Sequence, residues 1–161
     1  MTAIERLVER IKSRRGCNIY PSINAQSNSN SPNLPADLVE FYNSYERINV
    51  APNSDYPLFI SAISELIPSN EAIIDEDIQD DITAHWRILA KGRANEYISI
   101  DLSPDRLGFC YDSFADRHGI AGSCPIIAKS FTEFLERTLN QSGARHFWLE
   151  RHFASYGDAY D

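Results

Sequence analysis

Residues 86–102 read WRILAKGRANEYISIDL, and this stretch predicts the central hairpin of the fold. Its first part, WRILA, is an apolar run of strand length, and KGRAN contains Gly92 and Asn95, which favour a turn. In EYISIDL every second residue is apolar, which is typical of a half-buried strand: Ile98, Ile100 and Leu102. The stretch therefore predicts two antiparallel strands joined by a short turn.

The residues that follow predict further strands and a closing helix. RLGFCYD places apolar side chains on one face of a strand, namely Leu107, Phe109 and Tyr111, and CPIIA indicates another short strand. Ser130 and Glu133 then form a capping-box pattern that starts a helix. The apolar residues expected on the buried face of that helix are Phe131, Phe134, Leu135 and Leu139.

The residues before the hairpin predict two more helices. Thr2 and Glu5 form a capping box, and a helix from about residue 3 to 13 follows. Its apolar positions have helical spacing: Ile4, Leu7, Val8 and Ile11. Pro35 suits the first turn of a second helix, whose apolar face is Leu38, Phe41, Tyr42 and Tyr45.

Residues 58–63 indicate a strand with Phe59 and Ile63 in the core, and the Asn- and Ser-rich residues 24–33 indicate a loop. These elements predict one α+β domain over residues 1–161, an antiparallel sheet flanked by helices.

Residues 71–81, EAIIDEDIQDD, are called the acidic segment here, because six carboxylates stand in it without a basic residue. The six are Glu71, Asp75, Glu76, Asp77, Asp80 and Asp81. Apolar residues recur every fourth position through this region, at Ile74, Ile78, Ile82 and Trp86, which is a helical period. We therefore expect a helix that buries its isoleucines and carries its carboxylates outside. Like-charged pairs four residues apart disfavour that helix by roughly 0.2–0.5 kcal/mol each.

The composition limits the classes of partner. The formal net charge is −8, and five basic residues crowd the first helix, so the remainder of the chain is more acidic still. Such a surface repels nucleic acid and membranes and attracts basic proteins. Three cysteines without metal-ligand spacing fit a reducing compartment, and the apolar runs are too short to cross a bilayer. A cytoplasmic protein is expected.

Catalytic and metal-binding patterns are weak. The sequence contains no phosphate-binding glycine loop and no nucleophile elbow, and DEDIQDD lacks the glycine that a calcium loop requires. The spacing of His146 and His152 matches no zinc motif. A hydrolase using a metal at His118 or His146 is the weaker alternative, so we expect neither enzyme activity nor a cofactor.

Several segments in succession resemble the SUKH superfamily. These are LPADLVEFYNSY, PLFISAISEL, EYISIDL, GFCYD and SCPIIAKSFTEFLERTL, and residues from about 143 to 161 look like the C-terminal extension of some bacterial members. The resemblance covers residue 34 to residue 161. It implies an α+β fold without catalysis and, for the bacterial branch, an immunity protein that binds a toxin, often a nuclease. The eukaryotic branch offers a second hypothesis, an intracellular scaffold or regulator.

The resemblance gives the acidic segment a hypothetical role, which is to contact the basic surface of a nucleic-acid-targeting toxin. A solvated helix face without any partner is the competing interpretation. A tight interface also needs large side chains that fill pockets on the partner. The candidates for that role are Tyr111, Phe114, Trp148 and Tyr156.

Overall fold

The computed structural model describes residues 1–23, 33–141 and 145–161. Within these ranges the chain forms four α-helices and one seven-stranded antiparallel sheet, which is the predicted α+β domain. The helices are α1 (Ala3–Ser13), α2 (Ala36–Ser44), α3 (Ser69–Ile74) and α4 (Phe131–Asn140). The strands are β1 (Cys17–Pro21), β2 (Tyr45–Val50), β3 (Leu58–Ile60), β4 (Trp86–Lys91), β5 (Tyr97–Asp101), β6 (Cys110–Asp112) and β7 (Ile126–Ala128). The predicted loop at 24–33 lies, except for Asn33, outside the described residues.

The sheet is a meander in which the order of the strands in space equals their order in the chain. The predicted central hairpin is confirmed: Trp86 pairs with Asp101, and Lys91 pairs with Tyr97. Asn95 adopts the left-handed conformation in the connecting turn (φ 67°), which asparagine tolerates better than most residues.

Helices α1, α2 and α4 pack together over one face of the sheet and enclose the main core. The capping box of Thr2 and Glu5 forms, and α1 has the predicted bounds and buried face. Ser130 caps α4 by accepting a hydrogen bond from the Glu133 backbone N–H, and all four predicted apolar residues of α4 are buried. Capping and apolar periodicity therefore located both helices correctly.

The second face of the sheet is covered over β4 to β7 by α3 and by the C-terminal tail. Ser99 projects to this face, where its hydroxyl lies 2.9 Å from the Ser69 hydroxyl of α3. The rings of Trp86 and Tyr111 stack there, with centroids 4.2 Å apart. The tail extends the sheet beyond β7, because the Ile126 N–H donates to the Gly157 carbonyl at 2.9 Å. A second, smaller core thus lies opposite the main one.

The predicted helix through the acidic segment is wrong. Helix α3 ends at Ile74, and Asp75 caps it in the left-handed conformation (φ 55°). An irregular stretch follows, then the 3-10 turn Ile82–His85, and Trp86 is already in β4. Ile74 and Ile82 are exposed and Ile78 is half-buried, so the isoleucines form no buried stripe. Ending α3 early avoids the like-charged i,i+4 pairs that a continuous helix would contain.

Other predictions need smaller corrections. Strand β3 buries Leu58 and Ile60, whereas Phe59 and Ile63, the predicted core residues, are half-buried. Strands β1 and β2 were not predicted, and Tyr45 begins β2 instead of closing α2. In the described part of the chain, no helix combines the length and apolar character needed to span a membrane.

Candidate functional site

The acidic segment begins in the last four residues of α3 and continues as a surface loop to Asp81, before the 3-10 turn Ile82–His85. Five of its carboxylates are exposed, and Asp81 is half-buried. The exposed ones are Glu71, Asp75, Glu76, Asp77 and Asp80. The predicted outward position of these five is therefore confirmed, although α3 presents only Glu71, whereas its C-cap and the following loop present the other four.

The first part of the acidic segment is fixed by the end of α3. The backbone N–H of Asp75 donates to the Glu71 carbonyl at 3.2 Å, and that of Glu76 donates to the Asn70 carbonyl at 3.4 Å. These bonds close the helix with a left-handed residue, the usual way to satisfy free carbonyls at a C-terminus. Helix α3 is itself held beside β4, where the Ile88 N–H donates to the Ile67 carbonyl at 3.0 Å.

The last part of the acidic segment is fixed by Asp81, which caps the 3-10 turn. Its Oδ2 accepts hydrogen bonds from the Thr83 backbone N–H at 3.1 Å, the Thr83 hydroxyl at 2.7 Å and the Tyr160 hydroxyl at 2.8 Å. Burial alone would raise the pKa of the Asp81 carboxyl, but these hydrogen bonds stabilise the charged form and lower the pKa below its ordinary value. Asp81 is thus a structural carboxylate and is less free than its neighbours to contact a partner.

A buried chain of hydrogen bonds continues inward from Asp81, and its polarity is determined by that carboxylate. Because ionised Asp81 only accepts, the Thr83 hydroxyl donates to it and must accept from the Asn70 amide nitrogen, 3.0 Å away. The Asn70 amide oxygen then accepts from Nε2 of His118 at 2.7 Å. Nε2 of His118 therefore carries a proton.

The other ring nitrogen of His118, Nδ1, is buried and has no hydrogen-bond partner within the described ranges. Burial disfavours the imidazolium and lowers the pKa of His118 to about 4. The ring lies edge-on to Trp86, with centroids 5.8 Å apart. His118 therefore serves as a neutral donor that ties the loop before β7 to α3.

The four aromatic candidates do not gather around the acidic segment. Tyr111 is fully buried, and its hydroxyl donates to Asp101 at 2.5 Å. Phe114 and Trp148 are buried in the main core, where Trp148 packs near Phe134. These three rings are core residues with almost no surface to offer a partner. Of the four, Tyr156 alone is exposed.

Sequence reasoning missed the exposed isoleucines near the acidic segment, because it assigned Ile74 and Ile82 to a buried stripe. Ile120, in the loop that carries His118, is exposed as well. A signal was available: consecutive like-charged pairs and a run of Asp, a poor helix former, indicate a loop. Because Ile74 ends α3 and Ile82 begins the 3-10 turn, no continuous helix joins them and helical periodicity does not determine their burial.

Catalytic and metal sites find little support in the described residues. Among them no group of three or more His, Cys, Asp or Glu side chains is placed to hold a metal ion. Burial raises the pKa of the Cys110 and Cys124 thiols, which disfavours the reactive thiolate. A cavity of about 440 Å³ lies at the C-terminal end of α4. It is lined in part by Arg14, Tyr56 and His146, and no residue of the acidic segment borders it.

Comparison with known proteins identifies one relevant relative. No family model matches the chain, and no solved structure matches it either. Immunity protein YokJ of Bacillus subtilis (strain 168) is 36% identical to it over 159 residues, which is 99% of this chain and 96% of YokJ. An alignment of that length includes the acidic segment, both cores and the tail. The chain belongs to the family of immunity protein YokJ.

Proposed function

We propose that this protein is an immunity protein, which protects the cell that makes it by binding and neutralising one cognate toxin. The relationship to YokJ supports this role along nearly the whole chain. The protein acts by occupying a surface of the toxin, without turnover, cofactor or metal of its own. It works in the cytoplasm and binds neither nucleic acid nor membranes.

The exposed carboxylates of the acidic segment are the reason for proposing it as the binding surface. Five exposed carboxylates stand within residues 71–80, and hydrogen bonds at both ends of the acidic segment fix its backbone. A toxin that acts on nucleic acid needs a basic surface to bind phosphates. An acidic inhibitor can cover that surface, and the opposite charges also accelerate the encounter of the two proteins. The cognate toxin is therefore proposed to be a nuclease or another nucleic-acid-targeting enzyme.

The fold supports placing this family within the SUKH superfamily. Pro35 occupies the N-cap position of α2 without a side-chain hydrogen bond, and the buried residues of α2 include Phe41 and Tyr42, as the resemblance implies. The Tyr97–Asp101 strand is β5, which lies between β4 and β6 in the sheet. Ser130 caps the closing helix, α4. The resemblance at residues 143–161 corresponds to the tail that extends the sheet beyond β7, for those of its residues that the structure describes.

The experiment measures association with the toxin domain encoded beside the gene, by stopped-flow fluorescence at low and at moderate salt. One variant carries Glu76→Lys, Asp77→Lys and Asp80→Lys in the acidic segment. Its matched control carries Glu9→Lys, Asp105→Lys and Glu136→Lys at exposed carboxylates elsewhere. Both variants change the net charge from −8 to −2, so the overall charge is equal and only its position differs. Asp75 and Asp81 are left intact because they hold the loop.

We expect the acidic-segment variant to associate at least tenfold more slowly than the control at low salt. The difference should shrink as salt rises, because the screening length falls from about 30 Å at 0.01 M to about 10 Å at 0.1 M. Equal association rates for the two variants would show that the toxin docks elsewhere. Absence of any binding by the wild-type protein would refute the immunity role.

A further inference from the structure

Three exposed isoleucines belong to the acidic segment, follow it directly or lie in the loop that His118 ties to α3. Ile74 is the last residue of α3, Ile82 begins the 3-10 turn and Ile120 lies in the loop before β7. Their exposed fractions are 39%, 40% and 52%. A single exposed isoleucine is ordinary in a soluble protein, so the arrangement of the three matters more than their number.

The buried chain of hydrogen bonds ties together the three backbone segments that carry these isoleucines. Asn70 contacts Thr83 and His118 directly, and Ile74, Ile82 and Ile120 each lie within four residues of one of these hydrogen-bonded residues, as does the exposed Ile67. Ile74 follows Asn70 by one helical turn, Ile82 precedes Thr83, and Ile120 follows His118 by two residues. The backbone that carries them is therefore fixed relative to a common point inside the protein.

We propose that Ile74, Ile82 and Ile120 form the apolar centre of the toxin-binding surface, and that the exposed carboxylates of the acidic segment form its polar rim. This inference rests on the proposed function and specifies it further. Protein interfaces commonly have this anatomy, with an apolar centre that loses contact with water and a charged rim that remains hydrated. The complementary region of the toxin is then an apolar side chain bordered by Lys and Arg.

Charge selects this occupant over others. A second copy of the chain would bring one acidic rim against another, and like charges at an interface disfavour association. Nucleic acid and anionic membranes are repelled by the same carboxylates. A complex with a basic protein surface is stabilised both by attraction to the acidic rim and by burial of the isoleucines. The occupant that fits best is therefore a toxin that presents its phosphate-binding face to this surface.

The two parts of the surface act on different rate constants, which allows a test. Rim charges chiefly affect association and its salt dependence, whereas a desolvated apolar centre chiefly affects dissociation. The test variant is Ile82→Ser with Ile120→Ser, which leaves the net charge unchanged. Its control is Val39→Ser on α2, a β-branched residue with an exposed fraction of 38%. Urea unfolding of each variant confirms that the fold is retained before binding is measured.

Binding to the toxin domain encoded beside the gene is measured by surface plasmon resonance at two salt concentrations. We expect the double isoleucine variant to dissociate at least tenfold faster than wild type, with an association rate within threefold and the same salt dependence. The Val39→Ser control should match wild type. If the toxin domain binds wild type and the double variant with equal dissociation rates, the apolar centre is refuted while the immunity role stands.

Two further outcomes overturn the inference in other ways. If the wild-type chain alone sediments as a dimer and the double isoleucine variant as a monomer, the occupant of the surface is a second copy. If the toxin domain does not bind the wild-type protein, the proposed function fails and this inference fails with it.

Discussion

The hydroxyl of Tyr160 donates a hydrogen bond to the carboxylate of Asp81, which lies 79 positions earlier in the chain. The same carboxylate oxygen caps the 3-10 turn through Thr83. Burial, and then the hydrogen bond to Asp81, raise the pKa of the Tyr160 phenol, so the phenol remains a donor at neutral pH. The C-terminal tail is therefore a structural support of the acidic segment.

Replacing Tyr160 with Phe should loosen the end of the acidic segment without unfolding the protein. Loss of a hydrogen bond to a carboxylate that is partly shielded from water should lower the free energy of unfolding by about 1–2 kcal/mol. Hydrogen exchange of the amides of residues 81–85 should accelerate. Tyr156→Phe is the control, because its hydroxyl contacts Glu133 at an exposed position. Equal losses of stability in the two variants would contradict this structural role of Tyr160.

An acidic residue at position 88 should have a far larger effect than one at position 78. Ile88 is fully buried in β4, so Ile88→Asp places a charge in the core and should lower the free energy of unfolding by more than about 4 kcal/mol. Ile78 is half-buried in an irregular loop, and Ile78→Asp should cost less than about 1 kcal/mol. Urea unfolding measures both. Comparable destabilisation by the two substitutions would support the continuous helix with buried isoleucines that the periodicity predicted.

The buried imidazole of His118 should make stability depend on pH below 6.5. The unfolded chain binds a proton at the ordinary pKa of about 6.5, whereas burial lowers the pKa of His118 in the folded state to about 4. The contribution of neutral His118 is therefore fully present above pH 6.5 and is lost as the pH falls from 6.5 towards 4. Between pH 7 and pH 5 this loss amounts to about 2 kcal/mol.

The matched variant for that measurement is His118→Gln, which retains an N–H donor for Asn70 and does not titrate in this range. Wild type should lose more stability than His118→Gln between pH 7 and pH 5, by about 2 kcal/mol. The titration of Asp81, whose charge faces His118, is common to both proteins and cancels. His152→Gln, at an exposed histidine, should follow wild type. Parallel curves for wild type and His118→Gln would show that His118 is not held neutral.

Asp37 should stabilise α4, although it lies 95 positions before Thr132 in the chain. Its carboxylate, on α2, accepts hydrogen bonds from the backbone N–H and the hydroxyl of Thr132 in the first turn of α4, both at 2.8 Å. Asp37→Ala should lower the free energy of unfolding by about 1–2 kcal/mol, as the loss of a helix cap does. Asp105→Ala, at an exposed carboxylate, is the control. A loss below about 0.5 kcal/mol at position 37 would contradict the capping role.

The sequence predicted those elements whose signals are local. Helix α1 has its capping box and its apolar face within one short stretch, and the hairpin of β4 and β5 has its turn residues between its strands. Strand β2 follows α2 without an intervening residue, so no turn signal separates the two. Strand β1 is short and ends in Pro21, a residue that rarely continues a strand.

The acidic segment shows why other features could not be predicted. Its periodicity favoured a helix, but the residues on either side of it are joined through the side chain of Asn70, which bonds to Thr83 and to His118, 48 residues away. No pattern within the acidic segment contains that contact. Of the site residues, the exposed carboxylates were predictable from charge alone. The burial of Phe114 and Trp148 was not, because an aromatic residue suits a core as well as an interface. Tyr111 was assigned both to the apolar face of a strand and to the interface candidates, and the structure supports the first assignment.

The meander of the sheet also has a consequence for the speed of folding. In the part of the chain that the structure describes, no strand pairs across a crossover, since each one joins the strand next to it in the chain. The entropy lost on closing a loop grows with loop length, and folds with nearer pairings reach their native state faster. A toxin and its inhibitor that are made in the same cell compete in time as well as in affinity. An inhibitor that assembles hairpin by hairpin would shorten the interval during which newly synthesised toxin is unopposed.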